Sequence, residues 1–214
     1  MTGRMFSLAV LISGNGSNLQ VIIDKCATGE IRAKVCCVVS NEQDAYGLER
    51  ARRAGIPIHV LSHEDYASRT QYDLELAALL ETCDADLIVL AGFMRILGEG
   101  FIDRFPNRII NLHPSLLPKY KGLDTHARVL KAGEDTHGAS VHLVTPDLDS
   151  GPVIAQASIA VTDVDTVETL QERVHGLEHE ILPRAVGWFA DRRIKIDGDR
   201  VFLDDMPVDR LISE

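Results

Sequence analysis

Short apolar runs alternate with helical patterns along the first half of the chain, and this order constrains the fold more than any other feature. The first run, Phe6–Ile12, is almost continuously apolar, and Leu19, Ile22 and Ile23 follow it at helical spacing. Further apolar runs cover residues 35–39, 58–61 and 87–90, and further helical patterns cover residues 45–54 and 64–82. Continuous apolar strands with helices between them are typical of a parallel sheet that is buried on both faces. The sequence therefore predicts an α/β fold, with a mostly parallel twisted sheet and helices on both of its faces.

The pattern changes in the second half of the chain. Residues 140–144 and 152–156 have the pattern of neighbouring strands joined by a tight turn, which predicts antiparallel strands toward the C-terminal end. A long helix is predicted next, because residues 165–168 fit a capping box, and Pro183 is expected to kink it or end its regular part. The apolar stripe of this helix comprises Val167, Leu170, Val174, Leu177 and Ile181. Residues 194–203 predict a final hairpin.

The charge of the chain excludes several classes of protein. The sequence has 22 Lys and Arg against 32 Asp and Glu, a formal net charge of −10, which argues against a nucleic-acid or anionic-membrane surface. A small anionic substrate is still compatible with this charge, because backbone N–H groups at a helix start can bind a phosphate. No leader-like segment opens the sequence, and no apolar run approaches the roughly 18 residues of a membrane span. These features predict a soluble cytoplasmic protein.

The four cysteines, Cys26, Cys36, Cys37 and Cys83, do not have the spacing of a metal site. No C-x-x-C pair or close cluster of His and Cys occurs, so we expect no bound zinc or other metal. Because no secretion signal is present, the cysteines are expected to be reduced, buried thiols that behave as small hydrophobic side chains.

Two glycines, Gly14 and Gly16, lie between the first predicted strand and the first predicted helix. Glycines at this position allow a tight turn and a close approach to a ligand, and a helix start attracts anions. The loop is therefore either a phosphate-binding site or only a tight turn in which Ser17 and Asn18 cap the helix. A dinucleotide fingerprint would need a third glycine at Leu19, so a generic NAD dehydrogenase is disfavoured.

The segment "NLHPSLLPKYKG", residues 111–122, leaves an apolar run abruptly. Asn111 and His113 lie two positions apart on extended backbone, so both side chains can project from the same face. An amide N–H beside a histidine suits the stabilisation of an oxyanion, although a lone histidine is more often a core residue. Ser115 lacks the G-x-S-x-G elbow of a covalent nucleophile. Acyl transfer without a covalent intermediate therefore fits better.

The turn "DLDSG", residues 147–151, supplies a third candidate group. An aspartate near His113 would raise the pKa of the imidazole and keep it protonated. The pattern leaves open whether Asp147 or Asp149 has this role, and whether either is more than a turn residue.

Five segments together resemble one known family. They are "LISGNGSNLQ", "LAGFMRIL", "NLHPSLLPKYKG", "GASVHLVTPDLDSGPVI" and "RVHGLEHEILP". In this order and at these spacings they resemble the folate-dependent glycinamide ribonucleotide formyltransferases of purine biosynthesis, over about residues 6–188. The resemblance implies a Rossmann-like formyltransferase fold in a single domain over residues 1–214. It implies a nucleotide-binding half at about residues 1–105, and a folate and catalytic half at about residues 106–214.

The resemblance also implies roles for individual residues. His113 matches the catalytic histidine of the family and Asn111 the asparagine that stabilises the oxyanion. Asp149 matches the aspartate that raises the histidine pKa, so resemblance alone selects it over Asp147. The positions that match ribonucleotide-binding residues are Gly16, Ser17, Asn18 and Glu178. The positions that match folate-binding residues are Arg69, Met94, Arg95, Ile96, Leu97 and Asn111.

The implied reaction is direct transfer of a formyl group from 10-formyltetrahydrofolate, the co-substrate, to the amine of 5-phosphoribosylglycinamide. The implied partners are these two small molecules, with no metal, no nucleic acid and no membrane, and family analogy suggests a homodimer. A formyltransferase acting on methionyl-tRNA shares the His-Pro-Ser-Leu-Leu-Pro segment, but a basic RNA-binding domain would be expected.

Two further alternatives use the same segments. A 10-formyltetrahydrofolate hydrolase would use water in place of the amine, and an additional N-terminal domain would be expected. A non-catalytic folate- or nucleotide-binding module would be expected to lack Asn111, His113 or Asp149, and all three are present.

Overall fold

The structure is a computed structural model that describes residues 4–208. Its strands are β1 Phe6–Ile12, β2 Ala33–Ser40, β3 Ile58–Val60, β4 Leu87–Leu90, β5 Ile109–His113, β6 Thr136–Leu143, β7 Val153–Ala160, β8 Ile194–Asp197, β9 Arg200–Leu203 and β10 Met206–Pro207. Its α-helices are α1 Ser17–Thr28, α2 Tyr46–Arg53, α3 Arg69–Thr82, α4 Glu99–Ile102, α5 Thr125–Ala132 and α6 Val167–Ala190.

Strands β1 to β7 form one sheet in the order β3-β2-β1-β4-β5-β6-β7. Strand β1 pairs in parallel with β2 and β4, and β2 pairs in parallel with β3. Strands β6 and β7 pair antiparallel, and the helices lie around the sheet. The structure therefore confirms the predicted α/β fold, with a mostly parallel sheet and antiparallel strands toward the C-terminal end.

The chain divides into two compact units, Met1–Ile110 and Asn111–Glu214. We call them the first unit and the second unit, and their boundary falls within strand β5. The interpretation of residues 1–214 as a single domain, with halves meeting near residue 105, stays a prediction.

The core of the first unit is built on β1 and β4. Leu8, Ile12 and the residues between them are fully buried, and every residue of Leu87–Leu90 is buried. Helix α1 contributes Leu19 and Ile22, which are also fully buried, as their helical spacing predicts. Each buried Leu, Ile or Val side chain of this core stabilises the fold by about 1.5–3 kcal/mol. The apolar runs of β1 and β4 are therefore buried strands of this unit, whereas β3, from the run at residues 58–61, is partly exposed.

A β-bulge interrupts the pairing of β1 with β2. Leu8 pairs with Val35 and Ala9 pairs with Cys37, so Cys36 is one extra residue in β2. The Cys36 thiol donates a hydrogen bond to the carbonyl oxygen of Leu8 at 3.2 Å. Only Cys37 is fully buried among the four cysteines, all of which are free thiols. The expectation of four buried thiols is wrong for the other three, which are partly exposed.

The helix predicted over residues 64–82 begins later, at Arg69. The Ser68 side chain accepts a hydrogen bond from the N–H of Gln71 and caps α3. Upstream of this cap, His63–Asp65 forms a short 3₁₀ helix, and Tyr66 is extended. The predicted start was wrong because the serine cap, rather than the apolar pattern, determines where the helix begins.

Helix α6 has a capping box, but not at the predicted residues. The Thr166 side chain accepts from the N–H of Thr169, and the Thr169 hydroxyl oxygen accepts from the N–H of Thr166. The predicted box over residues 165–168 was therefore one residue too early. Asp165 instead accepts from the Thr162 N–H at 2.8 Å and pairs with Arg173 at 2.6 Å.

Helix α6 also continues through Pro183 to Ala190 instead of ending near the proline. Proline removes one helical hydrogen bond. In this helix, Pro183 is buried with Leu182 and Ile181, and α6 packs on both β6 and β7. Burial of this face compensates for the lost bond.

The predicted C-terminal hairpin is confirmed. Strands β8 and β9 pair antiparallel, and β10 adds a third strand on the other side of β9.

Candidate active site

A buried carboxylate, that of Asp149, is the centre of a polar cluster in the second unit. Asp149 lies in the turn between β6 and β7 with a left-handed backbone, at φ 46°. Its Oδ2 accepts the N–H of Gly122 at 2.9 Å and lies 3.4 Å from His113 Nδ1. Its Oδ1 lies 3.5 Å from Asn111 Nδ2 and 3.6 Å from His142 Nε2. The turn therefore holds one carboxylate against three nitrogen-bearing side chains.

The carboxyl of Asp149 is held in its ionised form. Burial raises its pKa, but contacts with His142, the N–H of Gly122 and the charge of His113 together keep the pKa below its usual value. An ionised carboxylate at this position stabilises positive charge on a neighbouring imidazole.

His113, at the end of β5, has an oxygen acceptor beside each ring nitrogen. Nδ1 faces Asp149, and Nε2 lies 2.9 Å from the carbonyl oxygen of Tyr120. Only the imidazolium can donate from both nitrogens, so this geometry favours the charged form. Burial lowers the pKa of His113, and it outweighs the rise caused by the Tyr120 carbonyl and by Asp149. The expected net rise of this pKa was wrong, although Asp149 acts in the expected direction.

Asn111 contacts the same carboxylate from two positions earlier in β5. Its Nδ2 lies 3.1 Å from His142 Nε2 and 3.5 Å from Asp149 Oδ1. The structure therefore brings Asn111 and His113, both on β5, to the carboxylate of Asp149 in the turn after β6. Their catalytic roles stay predictions.

His142 is a member of the cluster that sequence reasoning missed. It lies in β6 and is 2% exposed. Its Nδ1 lies 2.8 Å from the carbonyl oxygen of Leu143, which requires an N–H at Nδ1. Its Nε2 lies 3.1 Å from Asn111 Nδ2 and 3.6 Å from Asp149 Oδ1, so the ring contacts both of these side chains. The sequence of β6 gave no signal for this role, because a histidine in a buried strand has the same sequence pattern whether or not it contacts an active site.

Hydroxyl groups fix the proline-rich loop that follows β5. Ser115 Oγ donates to the Lys119 carbonyl at 2.7 Å, and Ser140 Oγ donates to the Ser115 carbonyl at 2.6 Å. Ser140 Oγ also accepts from the Leu117 N–H and the Gln156 amide, at 3.1 and 2.8 Å. Because Ser115 is fully buried and its hydroxyl is used in this network, the geometry supports the expectation that it is not a nucleophile.

The glycine loop connects β1 to α1 in the first unit. Gly16 is the N-cap of α1 with φ 71°, a left-handed conformation that favours glycine. Ser17 and Asn18 are the first two residues inside the helix, so neither is its N-cap. The interpretation of Ser17 and Asn18 as caps was therefore wrong. A helix that starts directly after a glycine turn presents its positive end to the loop, as an anion-binding site requires.

The predicted folate segment, residues 94–97, follows β4 in the first unit. Met94 and Ile96 are 65% and 54% exposed. The Met94 N–H donates to Ser13 Oγ at 2.7 Å, and the Ser13 hydroxyl donates to Asn41 Oδ1 at 2.5 Å. The loops that follow β1, β2 and β4 are therefore linked through one hydroxyl group.

Arg69 is joined to the end of this segment by Asp73. The Asp73 Oδ2 accepts the N–H of Gly98 at 2.8 Å and lies 3.7 Å from Arg69 Nε. Burial raises the pKa of Asp73, while the Gly98 N–H and the charges of Arg69 and Arg95 oppose this rise. Asp73 thus connects Arg69 with the residue that follows Leu97. The i,i+4 spacing of Arg69 and Asp73 was the available signal for it.

Glu178 lies on α6 in the second unit, beside two histidines. Its Oε2 is 3.6 Å from His175 Nε2, and the His175 and His179 rings are 4.9 Å apart. Burial lowers the pKa of His179, as does the charge of His175. The role of Glu178 toward a ribonucleotide stays a prediction.

Across residues 4–208, no three or more His, Cys, Asp or Glu side chains are arranged to hold a metal ion. Over the same residues, every helix is too short or too polar to cross a membrane. The cluster around Asp149 offers amide, imidazole and carboxylate groups. Such groups donate hydrogen bonds, transfer protons and stabilise charge.

The known proteins to which this chain is similar are formyl transferases. The formyl transferase family model matches residues 6–186. The chain is 50% identical over 198 residues to phosphoribosylglycinamide formyltransferase of Escherichia coli (strain K12), across 92% of this chain and 93% of that protein. The solved phosphoribosylglycinamide formyltransferase of Coxiella burnetii is 51% identical with a TM-score of 0.91, across 95% and 96% of the two chains. Glycinamide ribonucleotide transformylase 1 of Symbiobacterium toebii is 46% identical with a TM-score of 0.91, across 94% and 95%.

The chain therefore belongs to the formyl transferase family. Within that family, the relatives and solved structures named above are phosphoribosylglycinamide formyltransferases, also called glycinamide ribonucleotide transformylases. The resemblance found in the five sequence segments is thereby confirmed.

Proposed function

We propose that this protein transfers the formyl group of 10-formyltetrahydrofolate to the amine of 5-phosphoribosylglycinamide. The products are 5-phosphoribosyl-N-formylglycinamide and tetrahydrofolate, and the reaction belongs to purine biosynthesis. The observation that carries the proposal is the contact of Asn111 and His113 with the buried carboxylate of Asp149. Family membership supports the class of reaction, because relatives matched over more than nine-tenths of their length have this name.

Asn111 is the proposed donor to the oxygen that becomes negative when the amine attacks the formyl carbon. Its Nδ2 lies 3.1 Å from His142 Nε2, a contact that orients the amide. The same Nδ2 has only a long, 3.5 Å contact with Asp149 Oδ1, so an N–H of this amide can donate to an oxyanion instead. Removal of such a donor lowers the rate by about 10²–10³ in other enzymes.

His113 is the proposed second donor and the group that handles protons. The attacking amine loses a proton, and the folate nitrogen that leaves must gain one. In the imidazolium form, His113 can stabilise the oxyanion or supply this proton, and Asp149 stabilises that form from 3.4 Å. A substrate oxygen must compete with the Tyr120 carbonyl for the Nε2 proton.

The two substrates are proposed to use different residues. The phosphate of the ribonucleotide would bind at Gly16, Ser17 and Asn18, where a helix start favours an anion, with Glu178 as a further contact. The folate would bind along residues 94–97, whose exposed Met94 and Ile96 offer apolar contacts. Arg69, half exposed, suits a carboxylate of the folate tail, with Arg95, Leu97 and Asn111 as the other proposed folate contacts.

The proposal includes a cytoplasmic location, activity without a metal and a homodimer. It rests on the acidic composition for the absence of nucleic-acid partners, and on family analogy for the homodimer. Light scattering of the purified protein measures the number of subunits directly.

The experiment that tests the proposal follows release of tetrahydrofolate from 10-formyltetrahydrofolate by the purified protein. It is run with and without 5-phosphoribosylglycinamide, and in the presence of EDTA to remove metals. Release that requires the ribonucleotide, together with formation of the formylated product, is the expected result. The Asn111→Ala variant is expected to lose most of this release.

Release without the ribonucleotide would instead identify a hydrolase, with water as the nucleophile. Absence of release in both conditions would contradict the proposed activity and leave a binding module.

A further inference from the structure

The glycine loop is held from outside by one arginine of α2. The Arg50 Nε donates to the backbone carbonyl of Asn15 at 2.9 Å, and its Nη2 donates to the Asn15 side-chain Oδ1 at 3.0 Å. Its Nη1 lies 3.4 Å from Gln20 Oε1, in the first turns of α1. The planar guanidinium therefore contacts the loop and the helix that follows it. Two parallel donors on one residue fix both the backbone and the side chain of Asn15.

The start of α2 packs directly on the same loop. The N–H of Gly47 donates to the Gly14 carbonyl at 3.0 Å. A Cβ atom at Gly16 would lie 2.6 Å from the Gly47 Cα, and a Cβ at Gly47 would lie 2.4 Å from the Ile12 side chain. No side chain fits between loop and helix. This contact brings Arg50, one turn into α2, within reach of Asn15.

Arg50 differs from Arg52 and Arg53, the other arginines of α2, in the groups that surround its guanidinium. Arg53 donates to Glu49 at 2.8 Å, and Arg52 lies 3.6 Å from the same carboxylate. Arg50 contacts only neutral oxygens of Asn15 and Gln20 and the face of the Tyr46 ring, among the residues described. Its positive charge is thus placed beside the loop without a carboxylate to neutralise it, which favours an anion there.

We propose that Arg50 is a positioning residue for the phosphate of the ribonucleotide. It acts through Asn15, by holding the loop in the conformation that starts α1 at Ser17. This inference rests on the proposed function of the loop, and it adds a residue outside the sequence segments that resemble the family. Arg50 contacts the loop and not the reacting groups, so its loss is expected to affect binding of one substrate more than turnover.

The test compares Arg50→Ala with Arg53→Ala in steady-state formyl transfer. Arg53 is the matched control, because it lies on the same helix and pairs with Glu49 instead of the loop. Arg50→Ala is expected to raise KM for 5-phosphoribosylglycinamide about ten- to a hundredfold, as for loss of a hydrogen bond to a charged group. KM for 10-formyltetrahydrofolate and kcat are expected to change less than about threefold, and Arg53→Ala is expected to resemble the wild type.

Arg50→Lys supplies a second variant that keeps the charge but cannot make both bonds to Asn15. It is expected to raise the ribonucleotide KM by an intermediate factor while the thermal midpoint stays near that of the wild type. An unchanged ribonucleotide KM in both Arg50 variants would overturn the inference, as would an equal rise of both KM values. A wild-type protein without ribonucleotide-dependent transfer would overturn the proposed function itself, which distinguishes the two failures.

Discussion

Asp149→Asn removes one negative charge from the cluster and keeps the size of the side chain. The asparagine retains an oxygen that can accept the hydrogen bond from the Gly122 N–H, which Asp149 Oδ2 accepts at 2.9 Å. It places a neutral amide 3.4 Å from His113 Nδ1, where the carboxylate had stabilised an imidazolium. The fold is therefore expected to survive, while the charged form of His113 loses its partner.

The size of the effect follows from this distance. Two opposite unit charges 3.4 Å apart attract by about 5 kcal/mol at an effective dielectric constant of 20. Relaxation and solvent reduce this, and a neighbouring opposite charge typically changes a pKa by about 1–3 units. Since burial already holds the pKa of His113 below its usual value, the variant lowers it further. At a pH above the His113 pKa of both the wild type and the variant, the imidazolium population then falls by about 10- to 1,000-fold.

The assay is the dependence of kcat on pH for formyl transfer, with the thermal midpoint measured in parallel. We expect turnover to fall by about 10- to 1,000-fold at pH 7, and the alkaline descent of the profile to move to lower pH. The sign follows because a lower pKa requires more protons in solution for the same charged fraction. NMR titration of the His113 ring measures the shift directly.

Asp147→Asn is the matched control, because Asp147 lies in the same turn but is exposed. It removes the same charge from an exposed side chain that does not contact His113 among the described contacts, and it is expected to leave the pH profile of kcat in place. Unchanged turnover in Asp149→Asn would refute the reasoning. So would a loss of turnover without any movement of the pH profile, since Asp149 would then act without changing the protonation of His113.

Two further changes test the oxyanion donor and the packing of β6. Asn111→Ala is expected to lower kcat by about 10²–10³ at saturating substrate, and a loss below about threefold, measured with the same assay, would contradict its role. Gly138→Ala is expected to lower the free energy of unfolding by about 1–3 kcal/mol, because its Cβ would lie 2.0 Å from the Ala157 carbonyl oxygen. Urea unfolding of this variant beside Gly187→Ala, where the new Cβ meets no atom within 4 Å apart from its chain neighbours and the adjacent helix backbone, measures that cost, and equal stability of the two would argue against the clash.

The buried parallel strands could be predicted because their whole length is apolar. The one polar residue of Phe6–Ile12 and Leu87–Leu90 is Ser7 in β1, and it is only 1% exposed. Helix ends were harder, since one hydroxyl decides them. Ser68 moved the start of α3, and Thr166 moved the capping box of α6. In the sequence, Thr166 and Thr169 indicate a capping box no more strongly than Asp165 and Glu168 do.

The candidate site was only partly readable for a different reason. Spacing placed Asn111 and His113 on one face of β5, and the structure has both near Asp149. His142 and Arg50 could not be found in this way, because each meets its partners through tertiary contacts about 30 or more residues apart in sequence. The net direction of the His113 pKa was also out of reach, since it depends on how deeply the ring is buried.

Because of the bulge at Cys36, we expect strand β2 to tolerate deletion of that one residue and few others. Beyond the bulge, β1 and β2 pair regularly from Ala9 with Cys37 to Ile12 with Ser40. Asn41 follows directly, at the distance from Ser13 that their hydrogen bond requires. Loss of the extra residue would join two ladders already in register and leave Asn41 where it is. Loss of any residue after Cys37 would draw Asn41 one position back along the strand and turn its side chain to the opposite face. We therefore expect the number of residues between the bulge and Asn41 to be fixed, and the bulge to be the one place in β2 where the strand can be one residue shorter.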